Sequence, residues 1–379
     1  MERISTSPRP DWPARVEEVG LTYHTPNGVP YWNESAYYKL SAAEVDVLEK
    51  AGNDLHELCC EATRHILEKD WFERLAIPND AIPCLLNSWE RDDFSLYGRF
   101  DLAYDGAKPP KLLEYNADTP TSLVEAAVAQ WFWLQDTQPS ADQFNSIHEK
   151  LIGAWKKLSP QPKLVHLGGL KGHLEDAQTV LYLQDTCHQA GLATERLFIE
   201  DVGWHEQRRC FVDLQERDVT HYFKLHPWEW MWDSEFAPQL KLETTQFIEP
   251  MWKMLLSNKG LLPILWELFP DHPNLLPAFD GDEAIAAAKL NGSYACKPKL
   301  SREGANVRLV TEGRVLADTP GEYGEEGFVY QALAPVPEFD GHHPVCGVWI
   351  VNHEACGLGI REDDTLVTGN LSRFVPHLF

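Results

Sequence analysis

The fold is decided by two short runs of sequence, YGRFDLAY at residues 97–104 and KLLEYN at residues 111–116. Both runs are rich in aromatic and aliphatic residues, which favours extended strands. The connection between them, residues 105–110, contains one glycine and two prolines, and this composition is typical of a turn or loop. The pattern therefore predicts a β-hairpin.

Strand geometry places the charged residues of this hairpin. Side chains alternate along a strand, so Arg99 and Asp101 share one face of the first strand. Glu114 and Asn116 share a face of the second strand for the same reason. If the strands pair about the centre of the connection, Asp101 faces Glu114, and Arg99 faces Asn116. Two facing carboxylates repel one another, so we expect something cationic between them.

This set of groups has a specific chemistry. Two carboxylates and an amide oxygen form a hard oxygen set of the kind that Mg²⁺ prefers, and such an ion also binds phosphate oxygens. Arg99 could hold those phosphates in a transition state. The alternative is a surface hairpin whose charges are simply solvated, which is the commoner fate of charged strands.

Two lysines and a glycine-containing loop form a second candidate set. Lys297 lies in ACKP, residues 295–298, and is followed by a loop that contains Gly304. A lysine near a strand end followed by a flexible loop suits a nucleotide site, although most such loops are simple turns. Lys259 is expected to end a helical stretch. The alternative to a role in a nucleotide site is that Lys259 is simply a favourable cation at a helix C-terminus.

Other segments give a coarse outline of the secondary structure. Ser41 followed by Glu44 is a capping box, and the apolar spacing after it predicts one or two helices up to about residue 75. Further helices are expected at residues 123–135, 175–190 and 251–269. Strands are expected at residues 163–167 and 193–199, so that strand, helix and strand form one crossover.

Composition sets limits on the class of protein. The chain has 379 residues, of which 44% are hydrophobic and 24% are charged, as in an ordinary globular protein of two or three domains. Its 33 basic and 58 acidic residues give a formal charge of −25, which argues against binding of nucleic acid or of an anionic membrane and would suit a cationic partner. The eight cysteines are scattered and no export signal is evident, so we expect reduced thiols in the cytoplasm.

Several common catalytic motifs are missing. The sequence has no GxxxxGK[ST] phosphate loop, no GxGxxG after a strand, no HExxH and no GxSxG. Walker-type NTPases, Rossmann dehydrogenases, zincins and α/β-hydrolases therefore receive little support.

The motifs together resemble a known family. The resemblance is to the synthetase domain of glutathionylspermidine synthase and its shorter bacterial relatives. Four motifs occur here in the order found in that family: RFD with LLEYNADTP, LSNKGLLPILWELFPDHPNLLP, CKP with its glycine loop, and GIREDDTLVTGNLSRFVPH. The resemblance implies an α/β fold of the circularly permuted ATP-grasp type with an additional small α/β crossover domain. It also implies an ATP-dependent acid–amine (carbon–nitrogen) ligase that works through an acyl phosphate.

The resemblance implies roles for individual residues. Asp101, Glu114 and Asn116 match the Mg²⁺ ligands, and Arg99 matches the catalytic residue that stabilises the transferring phosphoryl group. The implied nucleotide-binding residues are Arg99, Phe100, Asp101, Lys259, Lys297, Gly304, Gln331, Ala332, Leu333 and Arg361. The implied substrate-binding residues are Thr119, Glu175 and Asp176.

The resemblance also has limits. The amidase half of the bifunctional members has no counterpart here, and Leu225 follows Lys224 where the family has a threonine used for glutathione. We therefore expect ATP and Mg²⁺ as cofactors, a small carboxylate such as the peptide glutathione, and an amine such as a polyamine, with the identity of both substrates open. The expected parts are residues 1–160 with the Mg²⁺ hairpin, the small substrate-side domain at 161–248, and 249–379 with the lysines and glycine loop. The alternatives to a ligase are a non-ligating nucleotide-binding relative and a glycosidase that uses the two carboxylates.

Overall fold

The computed structural model describes all 379 residues, which form five β-sheets and ten α-helices. The helices are α1 (Trp12–Glu18), α2 (Ala42–Lys69), α3 (Ile82–Glu90), α4 (Gln130–Thr137), α5 (Ile147–Trp155), α6 (Leu174–Gln189), α7 (Trp228–Trp232), α8 (Ala237–Leu240), α9 (Leu261–Leu268) and α10 (Glu283–Lys289). No helix combines the length and the apolar character that crossing a bilayer would require.

Nineteen strands make up the sheets. They are β1 (Glu2–Ser5), β2 (Ala36–Lys39), β3 (Tyr97–Ala103), β4 (Lys111–Asn116), β5 (Val165–Gly168), β6 (Thr194–Arg196), β7 (Gly203–His205), β8 (Cys210–Val212), β9 (His221–Lys224), β10 (Gln246–Ile248), β11 (Ala278–Asp280), β12 (Tyr294–Pro298), β13 (Arg308–Thr311), β14 (Arg314–Asp318), β15 (Phe328–Ala332), β16 (His343–Val351), β17 (Glu354–Asp363), β18 (Arg373–Val375) and β19 (His377–Leu378).

A central antiparallel sheet carries the predicted hairpin. Its strand order is β18-β17-β16-β3-β4, so the β3–β4 hairpin is completed by strands from the C-terminal part of the chain. Helix α2 packs against β16 and β17, and its buried residues join a core that also contains Phe100 and Val348. The largest hydrophobic core therefore supports β3 from the face opposite to its charged residues.

The capping box at Ser41 and Glu44 is present at the start of α2. The helix is a single one of 28 residues, and a short 3₁₀ turn, Trp71–Leu75, follows it. The prediction of one or two helices in this region is confirmed.

Two further sheets flank the central one. The first is antiparallel, has the order β11-β15-β12-β13-β14 and is built from residues 278–332 alone. The second has the order β10-β9-β5-β6 with all its strands parallel, and α6 connects β5 to β6 as the crossover pattern requires. Whether this second sheet is a separate domain, and whether the fold is circularly permuted, stay predictions, as do the three domain boundaries.

Two of the expected helices and the expected position of Lys259 differ from the structure. The expected helix at 123–135 contains a π-helical segment, Glu125–Ala129, before α4 begins. The expected helix at 251–269 is divided into a 3₁₀ turn, Met251–Met254, and α9. Lys259 precedes α9 and its N–H donates to the Lys299 carbonyl, so the expected position at a helix C-terminus is wrong.

Gly98 is required where β3 crosses the Tyr115 ring. A Cβ at Gly98 would lie 2.8 Å from a Tyr115 ring carbon, and Tyr115 is itself stacked on Phe100 with ring centroids 3.8 Å apart. We expect Gly98→Ala to lower the free energy of unfolding by about 1–3 kcal/mol, because the ring has no free space to move into. Urea denaturation measures this change.

Gly153 provides the matched control. It lies inside α5 with nothing within 4 Å of an added Cβ, so Gly153→Ala should raise the free energy of unfolding by about 0.5–1 kcal/mol. Equal effects of the two substitutions would contradict the close approach at Gly98.

Candidate active site

The register of the charged hairpin agrees with the prediction. Asp101 pairs with Glu114, and Arg99 pairs with Asn116. A β-bulge after Asp101 shifts the later pairs by one residue, so that Leu102 pairs with Leu112. The symmetric pairing therefore holds over the charged residues and ends next to them.

The facing carboxylates are balanced by cations of the chain itself. Arg99 donates from Nε to Asp101 Oδ1 at 2.7 Å and from Nη2 to Asp101 Oδ2 at 3.1 Å. Lys259 Nζ lies 2.9 Å from Glu114 Oε2. The expected compensation is thus already present before any ligand is added.

Asn116 joins the two carboxylates. Its Nδ2 donates to Asp101 Oδ2 at 3.2 Å and to Glu114 Oε1 at 3.3 Å. All three predicted metal ligands therefore converge on one point at the surface of the hairpin.

These contacts set the protonation states. Burial alone would raise the pKa of Glu114, but the charges of Lys259 and Lys297 outweigh it and lower that pKa to about 2. Burial and the charge of Lys259 lower the pKa of Lys297 to about 8, against the opposing effect of Glu114. Although burial opposes it, the pKa of Arg99 is raised by Asp101 and Glu114. At neutral pH Glu114 is therefore ionised and lies beside the buried cations of Lys297 and Arg99.

Arg99 is held in place by neighbouring strand β16. A Cβ at Gly347 would lie 2.9 Å from Arg99 Cδ, so only glycine leaves room for the arginine. The guanidinium lies 5.7 Å from the centroid of the Trp349 ring, and its Nη1 donates to the Thr121 carbonyl at 2.6 Å. Packing thus fixes the orientation of this cation.

Lys297 connects the hairpin to the flanking antiparallel sheet. Its Nζ donates to the Leu113 carbonyl at 3.0 Å and to Gln331 Oε1 at 2.8 Å. Gln331 Nε2 in turn donates to the Leu112 carbonyl at 2.9 Å. The two residues therefore close one end of a cleft between the sheets.

Gly304 shapes the loop over this cleft. Its φ is +69°, and a Cβ would lie 2.5 Å from the Thr368 carbonyl oxygen, so both conformation and space require glycine. Lys259 Nζ donates to the carbonyl of Ser301 in the same loop at 2.6 Å. The loop is thus attached to the charged cluster that it covers.

Two cavities meet at the charged hairpin. The first, of about 260 Å³, lies between the central sheet and the flanking antiparallel sheet and has mostly apolar walls. The second, of about 210 Å³, opens on the other side and is mostly polar. Asp101, Glu114, Gly304 and Thr368 line both cavities.

The apolar cavity gathers most of the predicted nucleotide residues. It is lined by Asp101, Leu113, Glu114, Lys259, Ala295, Lys297, Gly304, Val307, Leu309, Leu316, Gln331, Ala332, Leu333, Ala334, Val336, Val345, Leu366, Val367 and Thr368. The lysines and carboxylates are thus combined in one cavity with hydrophobic walls.

The polar cavity gathers most of the other predicted residues. Thr119 and Asp176 line it, together with Arg99, Asn116 and Arg361. Burial and the neighbouring Glu175 raise the pKa of Asp176 to about 6. Glu175 itself is half-buried and lies outside the residues that line this cavity.

Phe100 is a predicted nucleotide-binding residue whose side chain lines neither cavity. The ring is fully buried in the core beneath β3 and stacks on Tyr115. Because side chains alternate along the strand, Phe100 points away from the face that carries Arg99 and Asp101. The assignment of Phe100 as a nucleotide-binding residue therefore stays a prediction, and its ring belongs to the core.

Arg302 is a site residue that the sequence analysis did not assign. Its Nη1 donates to Thr119 Oγ1 at 2.8 Å, and its Nη2 donates to Glu229 Oε1 at 2.6 Å. The guanidinium also lies 5.5 Å from the centroid of the Trp230 ring, in the wall of the polar cavity. Its place two residues before Gly304 was the available signal. His173 and His226, which also line this cavity, had none.

The chain as a whole is similar to known proteins. Residues 3–379 match the family described as glutathionylspermidine synthase preATP-grasp. The chain belongs to this family. A protein of Haemophilus influenzae, provisionally named an acid–amine ligase, is 40% identical over the full length of both chains.

Longer members of the glutathionylspermidine synthase family are more distant. The bifunctional glutathionylspermidine synthetase/amidase of Escherichia coli is 31% identical over 90% of this chain and 58% of its own. Trypanothione synthetase of Crithidia fasciculata is 28% identical over 85% of this chain and 53% of its own. The chain thus spans a little over half the length of these two relatives. The prediction of a carbon–nitrogen ligase of the acid–amine class is confirmed at the level of the family.

A solved structure supports the fold class alone. A glutathione synthetase-like effector from Globodera pallida aligns over 98% of this chain and 99% of its own with a TM-score of 0.56, at 8% identity. The mixed α/β fold with several sheets therefore resembles the fold of this glutathione synthetase-like structure.

A buried carboxyl group, Glu125, lies at the start of the π-helical segment that precedes α4. Gln178 Nε2 donates to its Oε1 at 3.3 Å, whereas its Oε2 has no hydrogen-bond partner. Burial and the nearby charge of Glu175 raise the pKa of Glu125 to about 7.

This raised pKa predicts a pH-dependent stability. The folded state holds a proton at Glu125 that the unfolded chain releases near the ordinary pKa of a glutamate. The contribution of Glu125 to the free energy of unfolding is therefore present at low pH and is lost as the pH rises through about 7. Glu125→Gln should therefore become more stable relative to the wild type by about 2 kcal/mol between pH 5 and pH 8. Urea denaturation at both pH values measures this difference. The exposed Glu18→Gln should show no such change, and an equal response of both variants would contradict the assignment.

Proposed function

We propose that the protein is an ATP- and Mg²⁺-dependent ligase that joins a carboxylate to an amine through an acyl phosphate. One observation carries the proposal, namely that an apolar cavity and a polar cavity share a wall made by Asp101, Glu114, Gly304 and Thr368. A nucleotide in the first cavity and a carboxylate in the second would meet at this wall, beside buried cations.

The donor set fits Mg²⁺. Two carboxylates lie within hydrogen-bond distance of one amide, and Mg²⁺ prefers such oxygen ligands. Asp101 and Glu114 would hold the ion directly, and Asn116 would present Oδ1 after rotation of its amide. When bound, Mg²⁺ would neutralise phosphate charge and orient the phosphates.

The cations are suited to exchange partners when a nucleotide binds. Without a ligand, Lys259 and Arg99 balance the two carboxylates. With the ion on the carboxylates, the same cations and Lys297 become free to contact phosphate oxygens. The apolar wall at residues 331–333 would then enclose the adenine base.

The proposed chemistry has two steps. An oxygen of the substrate carboxylate forms a bond to the γ-phosphorus of ATP while the bond to ADP breaks. The amine nitrogen then forms the amide bond, phosphate leaves with the bonding electron pair, and the nitrogen loses a proton. Arg99 stabilises charge on the transferring group, and orientation supplies most of the remaining rate enhancement.

The polar cavity suits substrates of opposite charge. Arg302 and the Thr119 hydroxyl offer donors for a carboxylate, whereas Asp176 and the net charge of −25 favour a cationic amine. Leu225 places an apolar side chain in the same wall. We therefore infer that the carboxylate substrate differs from glutathione in the group that contacts residue 225. We also infer that the amine substrate is of the polyamine type.

The proposal includes a cytoplasmic location. All eight cysteines are free thiols in the structure, and six of them are buried. Such thiols persist in a reducing compartment, where ATP and Mg²⁺ are also supplied.

The function is tested by release of ADP from ATP and Mg²⁺ across a panel of small peptides and polyamines. Release that requires both a carboxylate and an amine, with formation of the amide, is the expected result. Tight ATP binding without turnover for any pair would favour a non-ligating relative, and glycoside hydrolysis without nucleotide would favour a glycosidase.

Loss of the proposed metal ligands should abolish turnover. Asp101→Asn and Glu114→Gln each remove one anionic ligand while keeping the shape of the side chain, so ADP release should fall by a factor of about 100 or more. The Mg²⁺-dependent part of nucleotide binding, measured by calorimetry, should fall with it. Asp318→Asn, an exposed carboxylate on β14, should retain full activity. Unchanged activity in both site variants would overturn the metal assignment.

Arg302 should act on the carboxylate substrate and not on the nucleotide. Arg302→Gln removes a charged donor from the polar cavity, so the KM of the carboxylate should rise by roughly 10- to 100-fold. The KM of ATP should stay unchanged, as should both KM values in the control Arg308→Gln, which pairs with Glu283 on the flanking sheet. Initial rates at varied concentrations of each substrate provide the measurement. An equal rise in the KM of ATP would contradict the separation of the two cavities.

A further inference from the structure

A second cluster of ligand-type side chains lies on the other side of the central sheet from the charged site. His56 and Cys60 are four residues apart on α2 and therefore share one face of the helix. His353 lies in the two-residue turn between β16 and β17. Each of the three residues offers one ligand atom, and these three atoms all lie within 4.8 Å of one another.

The separations are close to those of a tetrahedral metal site. His56 Nε2 lies 2.9 Å from His353 Nδ1 and 3.6 Å from Cys60 Sγ. With metal–nitrogen bonds of about 2.0–2.1 Å and a metal–sulfur bond of about 2.3 Å, tetrahedral angles require about 3.3 Å between nitrogens and about 3.6 Å between nitrogen and sulfur. A small movement of the exposed His353 would open the space for an ion.

His56 is oriented as a ligand. Its Nδ1 is hydrogen-bonded to the Tyr115 hydroxyl at 3.1 Å, which leaves Nε2 directed at Cys60 and His353. Burial, together with the charges of His353 and Lys253, lowers the pKa of His56 to about 3, so the ring is neutral at physiological pH. A histidine held at one nitrogen by a polar partner is the usual arrangement of a metal-binding imidazole.

His353 occupies a position where a histidine is costly. Asn352 and His353 have φ values of +47° and +68°, which is the conformation of a two-residue hairpin turn that favours glycine at its second position. The side chain is exposed, so packing in a core does not account for it. A strained residue that nevertheless completes a ligand cluster points to a function for the side chain.

We propose that His56, Cys60 and His353 bind one divalent transition-metal ion of the borderline class, with Zn²⁺ as the favoured occupant. Two imidazoles and one thiolate are ligands of this class, whereas Mg²⁺ prefers oxygen. Burial raises the pKa of Cys60 to about 11, so binding releases the thiol proton to solvent as the metal–sulfur bond forms. Cys60 is half-exposed and His353 is exposed, which leaves a fourth coordination position open to water.

This site is distinct from the proposed Mg²⁺ site but shares a strand with it. Tyr115, which orients His56, lies in β4 between Glu114 and Asn116 and points to the opposite face. An ion bound at His56 would therefore lie on the opposite face of β4 from the proposed Mg²⁺ ligands. The binding itself requires neither nucleotide nor ligase activity.

Metal titration tests the proposal. The full chain, purified with a chelator and then dialysed, is titrated with Zn²⁺ in competition with a chromophoric chelator, in excess Mg²⁺ and without nucleotide. Co²⁺ serves as a spectroscopic probe, because a cobalt–thiolate bond gives a charge-transfer band. We expect one equivalent of Zn²⁺ and one thiolate bond to Co²⁺.

Two variants test the proposed ligands, and a third serves as the control. Cys60→Ser should abolish the cobalt–thiolate band and weaken Zn²⁺ binding at least tenfold, and His353→Gly should weaken binding to a similar extent. Cys210→Ser, which removes the other half-exposed thiol, should leave both readouts unchanged. Absence of stoichiometric binding by the wild type, or unchanged binding in Cys60→Ser and His353→Gly, would overturn the proposal.

His353→Gly also separates loss of a ligand from loss of the fold. Glycine suits the positive φ at this position, so the metal-free variant should have a Tm equal to or above that of the metal-free wild type. Zn²⁺ should raise the Tm of the wild type and not that of the variant. An equal rise in both proteins would show that the ion binds elsewhere and would contradict the assignment.

Discussion

The pairing of Asp101 with Arg99 and of Glu114 with Lys259 is the interaction on which the site depends. Strand geometry brings the two carboxylates face to face, where their mutual repulsion destabilises the hairpin unless cations lie nearby. Because the balancing charges come from the protein, the site is assembled before a ligand arrives. Under the proposed function, binding would exchange partners among charges that are already in place, which would limit the cost of reorganisation.

Much of this site could be predicted from sequence because it is local. The hairpin of residues 97–116 has strong strand and turn signals, and its symmetric connection fixes the register at Asp101 and Glu114. The bulge after Asp101 in the pairing of β3 with β4 has no comparable signal in the sequence. The same alternation that placed Arg99 correctly also shows why Phe100, one residue later, belongs to the core.

The rest depends on contacts between distant parts of the chain. The N–H of Lys259 is bonded to the Lys299 carbonyl, and this contact belongs to a turn where the apolar pattern alone predicted helix. Arg302 was visible in the glycine loop, but its role follows only from Thr119 across the cavity. His56 and His353 are separated by most of the sequence, so neither periodicity nor spacing could have brought them together.

The strand order of the central sheet has a consequence for biosynthesis. The β3–β4 hairpin leaves the ribosome early, yet its neighbour β16 is translated only after most of the chain has been made. Until then one edge of the hairpin lacks its partner and Arg99 lacks the Trp349 ring beside it. A nascent chain therefore cannot complete the charged cluster around Arg99, and its unpaired strand edge is open to pairing with other chains until β16 is made.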